Sequence, residues 1–207
     1  MPQPVPQAVV QRLPRYYRCL RELLNNDVTL VKSRQLAEMM GLTASQIRGD
    51  FNYFGEFGQQ GYGYNVKTLY KNINAILGIT DEYSAVIIGA GQLGTVLAED
   101  AMFMRRGVIL RGIFDKDENI IGHEINHDLK VLDMLELEKF CKIKNIDIAV
   151  LTKFPEYAER IVKCGVSGIW NFTGVALRNT GGATVQDIYL GDTLMTLCYN
   201  MKVKNET

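Results

Sequence analysis

Near the middle of the chain an apolar run that follows Ser84, Ala85-Val86-Ile87-Ile88, passes through Gly89-Ala90-Gly91-Gln92-Leu93-Gly94 into Thr95-Val96-Leu97-Ala98, whose residues suit a helix. The pattern predicts a buried strand that enters a helix through a glycine turn. Further strands are predicted at Val108–Phe114, Ile146–Thr152, Gly168–Thr173 and Val185–Leu190. Helices are predicted between them, at Val131–Lys144 and from Pro155, which suits a first helical turn, to about Cys164. The alternation is that of a parallel sheet in an α/β domain. Gly191–Lys202 reads as a terminal helix whose Leu194, Met195, Leu197, Cys198 and Met201 want a partner surface, such as another subunit.

The first 80 residues have a different rhythm. Val9, Val10, Leu13, Tyr17, Leu20, Leu23 and Leu24 recur at helical spacing, which predicts an amphipathic helix bent at Pro14. Arg12, Arg15, Arg18 and Arg21 lie between them, and either form a solvated face or reach a phosphate backbone or another subunit. After Asn25-Asn26-Asp27, Ser33 can cap a second helix, Arg34–Met40. Gly41-Leu42 turns the chain, and Thr43 can cap a third helix, Ala44–Phe54. This is a helix-turn-helix pattern. Ile47, Phe51 and Phe54 would anchor the third helix, leaving Ser45, Arg48 and Asn52 on the opposite face with Gln46 beside them. Those side chains can bond base edges and phosphates, although for this helix alone an ordinary capped surface helix would be the favoured reading. Gly55–Val66 alternates aromatic residues with glycines, as in a hairpin. Helix-turn-helix plus hairpin is a winged helix, whose wing can lie along a phosphate backbone or enter a minor groove. The candidate DNA contacts are Arg12, Arg15, Arg34 and Thr43, then Ser45, Gln46, Arg48, Asn52 and Tyr53, and Gln59, Gln60 and Tyr62 in the wing. A helix at Lys67–Leu77 and a linker at Gly78–Glu82 complete this part.

Charge separates the two parts. Residues 1–80 carry nine Lys or Arg against five acids, while the remainder carries 14 against 18, so a net charge of zero conceals a basic start and an acidic remainder. The two parts are expected to meet different partners. No apolar run approaches the ~20 residues that span a bilayer, and the proline-bearing start lacks a signal peptide's apolar segment, so a cytoplasmic protein is expected. Cys19, Cys141, Cys164 and Cys198 show no C-x-x-C pairing and sit in apolar runs, which favours buried free thiols. His123 and His127 fall in a polar loop without further ligands, a poor metal site, so no metal is expected.

The glycine turn carries the most specific chemistry. In G-x-G-x-x-G, Gly89 permits the turn, Gly91 lets backbone approach a pyrophosphate, and Gly94 lets helix and strand pack closely, while free helix amides attract phosphate. Asp115, 21 residues beyond Gly94, can accept hydrogen bonds from an adenosine ribose and would repel a 2′-phosphate, favouring NAD(H), although Lys116 softens that preference. The cofactor set is therefore Gly89, Ala90, Gly91, Gln92, Leu93 and Gly94 with Asp115 and Lys116. Strand-end loops add Thr152 and Lys153, and Asn171, Phe172 and Thr173, near the nicotinamide end. The expected organisation is a winged-helix domain over 1–82, a Rossmann domain over 83–190, and a terminal helix and tail over 191–207.

Together, Ser45-Gln46-Ile47-Arg48-Gly49-Asp50-Phe51-Asn52-Tyr53-Phe54-Gly55-Glu56-Phe57-Gly58-Gln59-Gln60-Gly61-Tyr62-Gly63-Tyr64 and the following NAD fingerprint closely resemble the Rex family of bacterial redox-sensing repressors. The resemblance covers essentially the whole chain. It implies a non-enzymatic homodimer whose winged helices bind a palindromic operator and whose terminal helix is swapped onto the partner. It also implies that NADH closes the dimer and releases DNA, while NAD⁺ competes without causing release. The family usually has lysine where Gly49 stands and a basic wing where Gln59-Gln60 stand. It often pairs a tyrosine and an aspartate, the latter meeting an arginine that matches Arg18; Asp100 and Tyr189 occupy those positions in exchanged order. The alternatives are a paralogue that binds NAD(H) without operator DNA, supported by Gly49 and the neutral wing, and a small NAD-dependent dehydrogenase. For the latter the 125 residues after Glu82 leave little room for a substrate domain, and Lys153 is the one loop candidate for a proton donor.

Overall fold

The computed structural model describes residues 5–54, 58–59, 63–178 and 180–205. The chain forms two compact units, residues 1–81 and 82–207. The first holds helices α1 (Gln7–Val10), α2 (Leu13–Asn25), α3 (Ser33–Met40), α4 (Ala44–Asn52) and α5 (Val66–Ile76) and strands β1 (Leu30–Val31), β2 (Gly58–Gln59) and β3 (Gly63–Asn65). The strands form an antiparallel sheet in the order β1-β3-β2, the wing of a winged helix. The tip, Gln60–Tyr62, lies outside the described residues, as does 55–57.

Two local expectations are corrected. The chain breaks at Gln11-Arg12, not at Pro14, which sits in the first turn of α2, where its missing N–H costs nothing. Ser33 is the first residue of α3 and not its cap; the Lys32 N–H donates instead to Gln35 Oε1 at 2.8 Å. Thr43 does cap α4, in a reciprocal capping box in which the Gln46 N–H donates to Thr43 Oγ1 (3.1 Å) and the Thr43 N–H to Gln46 Oε1 (3.0 Å). Gly41 turns between the two helices at φ 64°. At Gly63, φ is 90° and a Cβ would stand 2.8 Å from the Val31 carbonyl oxygen, so only glycine lets the wing pair with β1 at that point.

Leu13, Tyr16, Leu20, Leu36, Ile47, Phe51, Leu69 and Ile73 form the core of this unit. A carboxylate lies against that core. Asp50 on α4 is 4 % exposed and accepts 2.7 Å hydrogen bonds from Arg12 Nε, Arg12 Nη2 and Tyr16 Oη. Burial pushes its carboxyl up, but the hydrogen bonds from Arg12 and Tyr16 and the charge of Arg12 outweigh it and hold the group below its ordinary value.

The second unit contains β4 (Tyr83–Ile88), α6 (Gln92–Glu99), β5 (Val108–Asp115), β6 (Glu124–Asn126), β7 (Leu129–Asp133), α7 (Leu137–Lys144), β8 (Ile148–Leu151), α8 (Ala158–Val162), β9 (Gly168–Asn171), β10 (Thr184–Asp187) and α9 (Leu190–Asn205). They form one sheet in the order β10-β9-β8-β4-β5-β7-β6, parallel except for β6. This is the Rossmann order with an added antiparallel edge. β4 is apolar from Ala85 to Ile88 because both its faces are covered there: Val86 and Ile88 pack in one cluster with Leu137 and Ile161, Ile87 in another with Ala98 and Val150.

The helix expected at Val131–Lys144 is in part a strand. Its first three residues finish β7, Asp133 Oδ1 accepts the Leu135 N–H at 2.8 Å to start a 3-10 turn, and only then does α7 begin. The supposed polar loop folds back as β6, with His123 and His127 exposed around it, and the described residues hold no metal-binding cluster. Cys19 and Cys141 are buried, and burial pushes the Cys141 thiol up to about 12. Cys198, expected to be buried, is exposed on α9, where Leu190, Leu194, Met195, Leu197, Tyr199 and Met201 are also 54–67 % exposed. No described helix is long and apolar enough to cross a membrane.

Asp50→Ala is expected to destabilise the first unit by about 3 kcal/mol, because it strands the Arg12 guanidinium and the Tyr16 hydroxyl. Urea unfolding of the full chain measures it; an unchanged midpoint would mean that the network adds no stability. Because the folded carboxyl is depressed, its contribution is full above the unfolded value of about 3.9 and fades as pH falls through the lower folded value.

Candidate functional site

β5 and β7 lie on one side of β4, β8 and β9 on the other, so a crevice opens beyond the carboxyl ends of β4 and β8. Gly89, Ala90 and Gly91 line it from β4, Thr152 and Lys153 from β8. The packing at Gly89 and Gly94 leaves no room for side chains. A Cβ on Gly89, where φ is 105°, would stand 2.5 Å from Thr152 Oγ1 and 2.9 Å from the Lys153 backbone nitrogen, and one on Gly94 would run into the Gly89 carbonyl oxygen. Thr152 Oγ1 donates to that same carbonyl at 2.7 Å and so pins the turn. Gly91 differs, because a Cβ there would meet only the end of the Lys153 side chain, Cε at 2.7 Å and Nζ at 2.9 Å. Gly91 also occupies the capping position of α6 and offers no side chain to its first N–H groups. This bare cradle at a helix start fits the pyrophosphate of a dinucleotide.

Asp115 is 2 % exposed. Its Oδ2 accepts the Ala90 N–H and its Oδ1 the Lys116 N–H, each at 2.7 Å, with the Asp117 N–H at 3.2 Å and Lys153 Nζ 3.7 Å from Oδ2. The carboxylate expected to meet a ribose thus also orders the loop. Lys116 is turned away from it, donating to Glu156 Oε1 at 2.8 Å with its ammonium 4.5 and 4.7 Å from the ring centres of Phe154 and Tyr157. It therefore softens the repulsion of a 2′-phosphate less than its place in the sequence implies.

Asn171 is buried and fully engaged: Nδ2 donates to Val175 O (2.8 Å) and Asp187 Oδ1 (2.6 Å), while Oδ1 accepts from the backbone and hydroxyl of Thr173. It shapes the loop and has no donor left for a ligand. Phe172 packs edge-on to Trp170, ring centres 4.6 Å apart. Gln92 is exposed and Leu93 half-buried on the first turn of α6. Phe154 was missed by sequence reasoning. It adopts φ 57°, rare for a bulky residue, directly after Lys153, and the one sequence signal was its position before Pro155.

In the winged helix, Ser45, Gln46, Arg48, Gly49, Asn52 and Tyr53 are exposed on or just beyond α4, and Ile47 and Phe51 are buried. The exposed face and the anchoring face of α4 lie where the spacing placed them. Arg48 Nη1 lies 3.3 Å from Ser33 Oγ, and Gln46 gives its amide oxygen to the cap. Arg12 is half-buried and gives Nε and Nη2 to Asp50. Arg15 Nη2 donates to the last carbonyl of α3, Met40 O, at 2.6 Å, and exposed Arg34 pairs with Glu38 at 3.4 Å. Gln59 is in β2; Gln60 and Tyr62 lie outside the described residues. Asp100 Oδ1 accepts the Met102 N–H at 2.6 Å, and Arg18 and Tyr189 are exposed; no hydrogen bond joins Asp100 to Tyr189 among the described residues.

Two family models match, "Putative DNA-binding protein N-terminus" over residues 4–52 and "CoA binding domain" over residues 80–175. The chain is 44 % identical to the redox-sensing transcriptional repressor Rex of Caldanaerobacter subterraneus subsp. tengcongensis, over 98 % of this chain and 95 % of that one. This chain belongs to the Rex family. Rex of Clostridium perfringens strain 13 is likewise 44 % identical, over 94 % of this chain and 93 % of its own. Among solved structures, RSP, described as a Rex-family repressor, matches at a TM-score of 0.90 in complex with NAD⁺ and operator DNA (43 % identity, 98 % of this chain and 95 % of that one). RSP in complex with NADH matches at 0.90 with 40 % identity, over 97 % and 96 %. These Rex relatives are named as repressors, which disfavours the dehydrogenase alternative.

The glycines of this Rex cradle separate by substitution. Gly94→Ala is expected to disturb folding and nucleotide binding together, since backbone would have to move, whereas Gly91→Ala should keep the thermal midpoint within a few degrees and still lose NADH. Melting and NADH titration of both variants check this; equal loss of stability in both would show that Gly91 is also structural.

Proposed function

We propose that this chain is a cytoplasmic redox-sensing repressor that binds a palindromic operator as a homodimer and leaves it when NADH binds. The bare glycine cradle beside Asp115 carries the reading, because only a ligand that brings backbone-sized phosphate contacts makes use of it. Thr152 and Asn171 hold the cradle and the neighbouring loop, and the charge of Asp115 disfavours a 2′-phosphate. The bound dinucleotide supplies a nicotinamide whose charge and planarity change with redox state. Phe172 and the loops at Thr152 and Asn171 are the proposed sensors of that difference. Switching from 1:99 to 99:1 requires about 5.5 kcal/mol of unequal binding in total.

Ser45, Arg48 and Asn52 are the proposed base and backbone readers, with Tyr53 and the wing beside them. The exposed apolar residues of α9 support a swapped position on the partner subunit. In the exchanged pair, Tyr189 and Asp100 are proposed to meet in the assembled dimer, with Arg18 linked to Asp100.

Binding of the purified protein to a labelled palindromic operator at fixed salt, with NADH, NAD⁺ or neither, tests the function. Release by NADH alone is the expected result, and Asp100→Ala should weaken it; no operator binding in any condition, with NADH still bound, would favour the DNA-independent paralogue. Gly49 has ordinary helical backbone and open space around its Cβ position, so Gly49→Lys is expected to stabilise α4 by up to about 1 kcal/mol and to tighten operator binding. One added phosphate contact should steepen the slope of log K against log salt by about 0.9, read from titrations at several salt concentrations.

A further inference from the structure

We propose that Lys153 is the cation that receives the nucleotide's pyrophosphate, and that binding draws its ammonium from Asp115. The proposal rests on the reading of the crevice as an NAD(H) site. Lys153 follows the Thr152 that pins the turn, and its side chain lies across Gly91, with Cε 2.7 Å and Nζ 2.9 Å from where a Cβ would be. The ammonium therefore covers the stretch of backbone that the motif leaves bare for phosphate. It is half exposed, at 49 %, and stands 3.7 Å from Asp115 Oδ2.

Electrostatics give this position a direction. The start of α6 carries about half a positive charge, so an ammonium beside it is disfavoured unless an anion compensates. Asp115 compensates, at a distance longer than a good hydrogen bond and while accepting the Ala90 N–H on the same oxygen. A pyrophosphate with two negative charges is a stronger partner for both the ammonium and the helix start. Lys116, the neighbouring cation, is held by Glu156 and two aromatic rings. Lys153 is thus the nearer screen between the pyrophosphate and the buried Asp115 carboxylate, and its transfer frees Asp115 to accept from the ribose. NADH and NAD⁺ carry the same pyrophosphate, so Lys153 sets the affinity for both without setting the redox preference.

The test is calorimetric titration of the full chain and of Lys153→Met and Lys153→Arg with NADH, NAD⁺ and ADP-ribose at low and high salt. Lys153→Met should weaken all three ligands by about tenfold at low salt, by a common factor, with the gap closing at high salt. Lys153→Arg should stay within about twofold of the parent. Unchanged affinity in Lys153→Met, loss for NADH alone, or a loss that arginine does not rescue would each overturn the proposal. If the parent chain binds none of the three ligands, the NAD(H) reading of the crevice itself fails.

Discussion

The nucleotide-binding unit depends on one close approach, that of the start of α6 to the carbonyl of Gly89. Any side chain at position 94 would occupy the space of that oxygen, and any at position 89 would meet Thr152. The approach brings bare helix amides to the end of β4, and Thr152 holds it from the neighbouring strand by donating to the same carbonyl. A phosphate site is made by removing atoms, and the cost falls on glycines whose conformational freedom must be overcome by packing. That packing comes from a strand buried on both faces.

Buried carboxylates organise each unit separately. Asp115 gathers three backbone N–H groups around the turn, so the residue proposed to meet the ribose also orders the loop. Asp50 does comparable work in the winged helix, joining α4 to α2 through Arg12 and Tyr16. Its arrangement fixes the orientation of the helix that presents Ser45, Arg48 and Asn52. In both units a charge taken out of water is retained where it sets geometry, and every oxygen of the two carboxylates has a donor.

The arginines of α2 illustrate how a charged residue acquires a use. Four arginines at helical spacing look alike in a sequence. Arg12 closes a buried ion pair, Arg15 caps a helix end, Arg21 stands over the Tyr17 ring, and Arg18 remains exposed. Which of them is left for a partner follows from what lies opposite each position.

The sequence by itself determined the two-part plan, the apolar signature of the buried strands, the Thr43-capped helix α4 and the glycine turn, because each rests on local signals: spacing of apolar residues, a cap at Thr43, glycines at fixed intervals. It misread Val131–Lys144, where the first turn of an apparent amphipathic helix also satisfies the alternation of an edge-side strand, and only pairing with β5 and β6 decides between them. It could not distinguish Arg12 from Arg18, assign Asp50 and Asn171 to internal networks, or see that Lys153 lies over Gly91. Those outcomes depend on residues 16 to 63 positions apart meeting in space. Tertiary packing decides such partnerships, since a charged or polar side chain leaves solvent only for a partner that the fold brings to it.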